Sequence, residues 1–464
     1  MSAPRGYAGR HILVAGTGVA GRAAAEVLLR VGARVSVLDR RDGPALAELR
    51  AAGADVAIGD SPPPGLLDTV DEVVVSPGFA PDSPLARACA AVGLPTYSEP
   101  ELAWRLRGPD APPWLAITGT NGKTTATTML AAILRAAGLR TAALGNIGEP
   151  LVFAALGAAT YDVLAVELSS QQLHWSSTLA PEGGALLNLA DDHLEWHGTV
   201  EAYAESKLAI WRSARSGGDG PGRGIAVGNL DDPWVAPRLA RVSGRRLGFS
   251  VRATADLSLR DGWLVAMIGP SPEEIVEADR IRPAGLHNVA NALAAAALAM
   301  AYGAPASAVR DGLAGYTPEP HRNAFVATVD GVAYVDDSKA TNPHAAHASL
   351  VAYPRVVWVA GGQLKGVDVG DLVASVADRL VGVVLLGVDR AEVATALARH
   401  APNVPTIDVS RTDDGAMAEV VRAASGLARP GDTVLLAPAA ASKDMFVSYS
   451  HRGDAFAKAV QSLP

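Results

Sequence analysis

One stretch constrains the fold of this 464-residue chain more than any other: WLAITGTNGKTTATTMLAAILRAAG, from Trp114 to Gly138. An apolar run reads as a buried strand, a glycine-rich loop follows, and the loop opens a helix stopped by Gly138. The loop is Gly119-Thr120-Asn121-Gly122-Lys123-Thr124-Thr125. It departs from strict GxxxxGK[ST] because Ile117 stands where glycine is expected. The Gly-Lys-Thr ending nevertheless keeps the mechanics. Backbone N–H groups cradle phosphates, the Lys123 ammonium reaches the β and γ oxygens, and the Thr124 hydroxyl suits magnesium. An ATP site at the C-terminal end of a parallel strand is the expectation.

The rest of the chain fits an α/β fold of about three domains, at ~150 residues each. In the first block HILVAG and ARVSVLD read as strands flanking the helix GRAAAEVLLRVG, and EVVVSPG closes a further strand on a turn. This predicts a Rossmann-like domain over 1–98, with helices on both sheet faces. The proline-rich GPDAPP at 108–113 precedes the fresh strand of a central P-loop domain over 99–318. That domain carries a Gly-rich interruption near 216–224 and a long alanine-rich helix after His287. VVWVAGG, GVVLLG and DTVLLAP are strands of a third, Rossmann-like domain over 319–464. Cys89 is the one cysteine, so no internal disulfide can form, and a reducing, cytoplasmic setting is expected. A net charge of −8 argues against a protein that coats nucleic acid. The N-terminal apolar stretch is broken by glycines and enters a βα pattern, so it does not read as a signal peptide. Ala292–Ala304, the longest mostly apolar stretch, falls short of the ~20 residues that span a bilayer.

A second glycine motif, Gly16-Thr17-Gly18-Val19-Ala20-Gly21, is a complete GxGxxG after a strand, and Asp39 follows 23 residues after Gly16. That is the dinucleotide fingerprint in its usual context. The glycines admit a pyrophosphate at a helix N-terminus, and a nucleotide diphosphate other than NAD would use the same donors. The motif specifies pyrophosphate and leaves redox chemistry open.

Other residues carry chemistry by type and place. YDVLAVELSS ends a buried strand with Glu167, Ser169 and Ser170, where a parallel sheet displays ligands for magnesium. ADDHLEWHG offers Asp191, Asp192, His193 and His197. TVEAYAESKLAIW reads as a helix capped by Thr199. Its apolar stripe of Val200, Tyr203, Ala204, Leu208 and Trp211 includes Lys207, where a bare ammonium is expensive. Lys207 is therefore either a snorkelling edge residue or a lysine turned to a buried site, partnered or modified. Only six of the 40 basic residues are lysines, so lysine is kept where a guanidinium will not serve.

TGTNGKTT, ELSS, the DDH…SK segment, GLHNVANALAA, HRN, DDSKATNPHA and LLAPAAASKDMF occur here in the order seen in Mur ligases, which build the peptide stem of peptidoglycan. The resemblance covers essentially the whole chain. The short N-terminal domain, GNIG at 145–148 and DSKATN most resemble the branch that adds D-glutamate to UDP-N-acetylmuramoyl-L-alanine. The resemblance implies that Gly16, Thr17, Gly18, Val19, Asp39, Arg40 and the Ser76-Pro77-Gly78 turn surround the UDP moiety. Asn146 would meet the muramoyl-peptide part, and Ser169 would also bind the UDP substrate. Lys207 aligns with a carbamylated lysine, and only a primary amine can carry that carbamate. His193 and carbamylated Lys207 would ligate one magnesium, Thr124 and Glu167 another. With the phosphate loop, Asn288, Asn291, Arg322 and Asp337 would serve ATP. Lys339, Thr341, Lys365, Ser442 and Tyr449 would receive D-glutamate.

The implied reaction is carboxylate activation by ATP to an acyl phosphate, with Lys123, His193 and Lys207 at its centre. Hinge closure near 316–320 would keep water from that intermediate. Three departures from the family pattern stand out: Gln171 before Gln172 where phenylalanine is common, Lys443 after Ser442, and Tyr449 where phenylalanine is frequent. No DNPR-like motif marks a diaminopimelate- or lysine-adding enzyme. A folylpolyglutamate-type or other Mur-type ligase is the alternative within the chemistry. A nicotinamide oxidoreductase or a non-catalytic ATP-binding regulator are alternatives outside it. Small-molecule substrates, a monomer, and neither nucleic-acid binding nor membrane insertion complete the expectation.

Overall fold

The computed structural model describes residues 6–156, 160–215, 224–269, 271–413 and 415–463; the expected Gly-rich interruption falls outside them except for Gly224. The chain folds as three α/β domains, each built on its own sheet. In the first sheet β1 (His11–Ala15), β2 (Arg34–Asp39), β3 (Asp55–Ile58), β4 (Glu72–Val75) and β5 (Thr96–Ser98) lie in the order β3-β2-β1-β4-β5, all parallel. Every residue of β1 and β4 is buried, as expected of strands covered on both faces. Strand order reverses between β1 and β4, and the first glycine turn lies there, at the usual ligand position of an open parallel sheet.

The second sheet comprises β6 (Trp114–Thr118), β7 (Ala143–Gly145), β8 (Leu164–Glu167), β9 (Gly183–Leu186), β10 (Ile225–Asn229), β11 (Arg245–Ser250), β12 (Leu257–Arg260), β13 (Trp263–Ala266) and β14 (Glu273–Glu277). Its order is β14-β13-β12-β11-β10-β9-β6-β8-β7, so the phosphate loop leaves β6 between the ends of β8 and β9. The third sheet holds β15 (Ala324–Val329), β16 (Val332–Asp336), β17 (Val356–Ala360), β18 (Leu380–Leu385), β19 (Thr406–Asp408) and β20 (Thr433–Leu436), in the order β15-β16-β20-β17-β18-β19.

Two edges are antiparallel where βα alternation was expected. β12–β13 and β15–β16 each turn on Asp-Gly, and both turn residues have positive φ: 48° and 82° at Asp261-Gly262, 50° and 75° at Asp330-Gly331. This is the two-residue hairpin geometry that Asp-Gly favours.

The chain divides into two compact units, Met1–Ala278 with Ala290–Gly315, and Asp279–Val289 with Tyr316–Pro464. In the first unit one apolar core runs from Tyr7 and Ile12 through Trp114 to Trp211 and Val242, joining the first two sheets. In the second, Val335, Trp358 and Leu435 pack on one face of the sheet and Tyr334, Val359 and Phe456 on the other. Among the described residues no helix is long and apolar enough to cross a membrane.

Candidate active site

In the first unit the Gly16–Gly21 turn is held from two sides. Asp39 accepts from both the backbone N–H and the hydroxyl of Thr17 at 2.6 Å. Burial raises the Asp39 pKa, but these bonds outweigh it and leave the carboxyl below its ordinary value. Ser76 Oγ donates to Gly16 O at 3.0 Å. A Cβ on Gly21 would lie 1.8 Å from Gly16 O, so only glycine closes this turn. Val19 is exposed at the helix start, and Arg40 pairs with Asp60 at 2.5 Å. The Ser76-Pro77-Gly78 turn is tied to the second sheet's domain by two indoles. Trp196 Nε1 donates to Pro77 O at 3.1 Å and Trp175 Nε1 to Phe79 O at 3.0 Å.

The phosphate loop enters the helix Lys123–Ala136 through Gly122, whose φ is 83°. A Cβ there would meet Asn291 Oδ1 at 2.3 Å, so the Asn291 side chain lies against the loop. Asn121 and Asn188 exchange hydrogen bonds at 2.8 and 3.1 Å, and Thr120 Oγ1 lies 2.9 Å from Tyr203 OH. Lys123 Nζ donates to the carbonyls of Gly119 (3.0 Å) and Thr120 (2.9 Å). Thr124 Oγ1 donates to Glu167 Oε2 at 2.6 Å, and Asn146 Nδ2 to Glu167 Oε1 at 2.8 Å. The Glu167 carboxylate, 1% exposed, thus has both oxygens held by neutral donors. Hard oxygen donors around an anionic charge suit a magnesium ion.

Lys207 lies in the last turn of the helix Val200–Leu208, whose cap is Thr199, with Oγ1 accepting from Ala202 N at 3.1 Å. Its side chain is 1% exposed, its Nζ donates to Gly119 O at 2.8 Å, and it sits 4.7 Å from the Tyr203 ring centre. The amine is inside, not snorkelling. Burial, then the neighbouring Lys123 charge, hold its pKa well below the ordinary lysine value.

His193 has a half-exposed ring, 3.7 Å from Asp192 and 3.8 Å from Glu195, with φ 54°. Among the described residues no group of three or more His, Cys, Asp or Glu side chains is assembled for a metal. Asp191 is exposed. His197 lies inside a group that no local sequence pattern arranges. It is 3.0 Å from Ser170 Oγ, edge-on to Tyr203 and His174, and against Trp196. Burial, then His174 and Lys207, push its pKa down to about 4, so it is neutral at physiological pH. Ser169 and Gln172 form a reciprocal capping box on the helix Ser170–His174. The departing Gln171 accepts from Ser170 Oγ at 3.3 Å.

In the second unit, Asn288 Nδ2 donates to Ala284 O at 3.2 Å, and Asn323 Nδ2 to the same oxygen at 3.1 Å. Asp337, buried, accepts from Asn323 N–H at 3.1 Å and from Ser349 Oγ. Burial raises its pKa to about 6 against these bonds and the nearby Arg322 charge. Lys339, Thr341 and Ser442 follow the ends of β16 and β20, the strands beside the reversal in strand order. Lys339 Nζ lies 4.0 Å from the centre of the Tyr449 ring, so the departure from phenylalanine keeps the aromatic face. Lys443 is exposed, and Lys365 follows β17 with φ 56°.

Comparison with known proteins places the whole chain in one family. Three family models match: a Mur ligase MurD-like N-terminal domain over residues 10–97, a Mur ligase middle domain over 117–299, and a Mur ligase glutamate ligase domain over 321–440. A UDP-N-acetylmuramoylalanine--D-glutamate ligase of Streptomyces avermitilis is 51% identical, covering 98% of this chain and 99% of the relative. The protein of that name from Streptomyces coelicolor is 50% identical over 99% of each. Two solved structures share the fold. MurF of Acinetobacter baumannii gives a TM-score of 0.61 at 18% identity, covering 99% of this chain and 92% of that one. The UDP-N-acetylmuramate-alanine ligase MurC of Thermotoga maritima gives 0.57 at 17%, covering 98% and 99%.

Proposed function

This chain belongs to the Mur ligase family, and from that premise we propose that it is an ATP-dependent ligase joining D-glutamate to UDP-N-acetylmuramoyl-L-alanine in the cytoplasmic stage of peptidoglycan synthesis. One observation carries the reading. Lys123, Lys207, Thr124 and Glu167 converge at the phosphate loop of a chain that matches D-glutamate ligases over 98% of its length.

Amide formation from a carboxylate is uphill in water. The L-alanyl carboxylate oxygen therefore attacks the γ-phosphorus of ATP, ADP leaves, and an acyl phosphate results. The D-glutamate amine then attacks the acyl carbon, loses a proton, and phosphate departs with the former carboxylate oxygen. The loop from Gly119 to Thr125 supplies N–H donors, and the Lys123 ammonium moves from the Gly119 and Thr120 carbonyls onto phosphate oxygens. Asn288, Asn291, Arg322 and Asp337 bind the rest of ATP.

Thr124 and Glu167 would hold one magnesium, His193 and carbamylated Lys207 a second. When bound, the two ions neutralise charge on the transferring phosphoryl group. The neutral Lys207 amine would add carbon dioxide and release a proton, turning a neutral buried amine into an anion beside Lys123. Gly16, Thr17, Gly18, Val19, Asp39, Arg40 and the Ser76–Gly78 turn take the UDP moiety. Asn146 takes the muramoyl-peptide end, and Ser169 also binds the UDP substrate. Lys339, Thr341, Lys365, Ser442 and Tyr449 take D-glutamate. We place the domain boundaries after residues 98 and 318 and take the working form to be a cytoplasmic monomer acting on small molecules.

Phosphate release by the purified protein, with ATP, magnesium, UDP-N-acetylmuramoyl-L-alanine and D-glutamate omitted one at a time, tests the reading. Release that needs all four and falls sharply with L-glutamate is the expected result. Release with another amino acid alone would keep the ligase chemistry and overturn the assigned step.

A further inference from the structure

The helix Tyr449–Gln461 carries an arginine where its apolar stripe asks for an aliphatic residue. Arg452, Phe456 and Val460 follow i, i+4, i+8, and all three are buried, Arg452 at 1% exposure. The Arg452 guanidinium is satisfied by acceptors of two loops. Its Nε donates to Ser338 Oγ at 2.9 Å and one terminal nitrogen to Ser338 O at 2.9 Å. Both terminal nitrogens donate to Ala440 O at 3.2 Å. Those contacts use four of the five N–H groups. Burial lowers its pKa to about 10, so the cation persists at neutral pH.

We propose that Arg452 is a positioning residue for the incoming amino acid, locking the loop after β16 to the loop after β20. The inference rests on the reading of Lys339, Thr341, Lys365, Ser442 and Tyr449 as the amino-acid site. Each of the five hangs from this lock. Ser338 precedes Lys339, and its hydroxyl donates to Tyr449 O at 2.7 Å. The Tyr449 ring then underlies the Lys339 ammonium. Lys339 N–H donates to His321 O at 3.1 Å, and Thr341 N–H to Lys339 O at 2.8 Å. Ala440 lies two residues before Ser442. Between them Ala441 exchanges two 2.9 Å backbone hydrogen bonds with Gln363, which carries the chain to Lys365. Gly453 leaves room for the adjoining His321–Asp336 contact of 2.6 Å, since a Cβ there would fall 2.1 Å from His321 Nδ1.

A planar fork spanning two loops is work that a lysine, with its donors on one nitrogen, cannot reproduce fully. Methionine keeps the stripe apolar and near in volume but leaves the carbonyls of Ser338 and Ala440 without this donor, so Arg452→Met should fold at a lower melting temperature and handle glutamate poorly.

The test is steady-state kinetics of the full chain as wild type, Arg452→Met, Arg452→Lys and Ser338→Ala, each with a thermal melt. Arg452→Met removes all four hydrogen bonds of the lock, and KM for D-glutamate should rise by roughly tenfold or more. KM for the UDP substrate should stay within about twofold, because its ligands do not hang from this lock, and KM for ATP should rise less than that for D-glutamate, because only Asp337 and Arg322 of its ligands adjoin the lock. Arg452→Lys should recover part of the loss. Ser338→Ala, which keeps the guanidinium, should raise the same KM by a few-fold at an unchanged melting temperature. A folded Arg452→Met enzyme with wild-type KM for D-glutamate, or with all three KM values raised alike, overturns the inference. Should Arg452→Met not fold, an unchanged glutamate KM in Ser338→Ala overturns it. Wild-type protein that releases no phosphate in response to D-glutamate overturns the functional reading first, and this inference with it.

Discussion

Lys123 Nζ and Lys207 Nζ meet on one backbone oxygen, the carbonyl of Gly119, at 3.0 and 2.8 Å. Two ammonium groups sharing one acceptor in a buried site repel each other, and the fully enclosed one yields its proton more readily. A neutral primary amine is the form that adds carbon dioxide. The proposed carbamylation of Lys207 would draw on this pairing, with Lys123 as its counter-ion.

Lys207→Ala should lose nearly all turnover, and short carboxylic acids should restore part of it by standing in for the carbamate. Lys207→Arg should be as inactive and beyond such rescue. Protonation competes with carbon dioxide for the amine, so lower pH without bicarbonate should drain activity, and bicarbonate at higher pH should return it. Activity that ignores bicarbonate and survives Lys207→Ala would remove the carbamate from the mechanism.

Glu167→Gln keeps the size of the side chain but removes the charge that Thr124 and Asn146 hold in place. Turnover should fall on the order of 100-fold or more, with a higher magnesium requirement, because several kcal/mol of charge stabilisation depends on the ion. A magnesium titration of phosphate release measures both. An unchanged magnesium midpoint would place the ion elsewhere.

Trp175→Phe and Trp196→Phe each remove one indole N–H from the carbonyls that frame the Ser76–Gly78 turn. A carbonyl left without its partner costs about 1–1.5 kcal/mol, or roughly five- to tenfold. KM for the UDP substrate should rise by that factor and KM for D-glutamate should not.

Glu99, buried against the N–H of Val152 at 2.7 Å, has its carboxyl pushed up to about 7 by burial, with those backbone bonds opposing. A folded-state pKa above the unfolded value means the native state holds the proton more tightly. Stability from this group is present below about pH 4.5 and is lost as pH rises through 7, on the order of 3 kcal/mol in all. Glu99→Gln should flatten that decline. Melting curves of both proteins at pH 5 and pH 8 decide it.

Much of the first unit is legible in the sequence because its signals are local. The phosphate loop sits between an apolar strand and a helix, and Thr199 caps the helix that buries Lys207. Both Asp-Gly hairpins carry their own turn signal, yet strand–helix alternation masks it. Asp39 reads by spacing as the acidic residue of the dinucleotide fingerprint, whereas a neighbour in the folded turn, Thr17, occupies one of its oxygens. Arg452 is the instructive omission. The stripe argument that singles out Lys207 applies equally to Arg452, Phe456 and Val460. The Asn121–Asn188 pair and the packing of Trp196, His197 and Tyr203 depend on strands and loops far apart in sequence, so no local pattern carries them.

The most direct test of carboxylate activation follows one oxygen atom. UDP-N-acetylmuramoyl-L-alanine labelled with heavy oxygen in its terminal carboxylate is incubated with the protein, ATP, magnesium and D-glutamate, and the released phosphate is weighed by mass spectrometry. The expected result is one labelled oxygen in each phosphate formed with the amide, because the acyl–oxygen bond breaks when the amine attacks. Unlabelled phosphate, with all label retained by the UDP substrate, would mean that ATP is hydrolysed by water and would contradict the ligase mechanism.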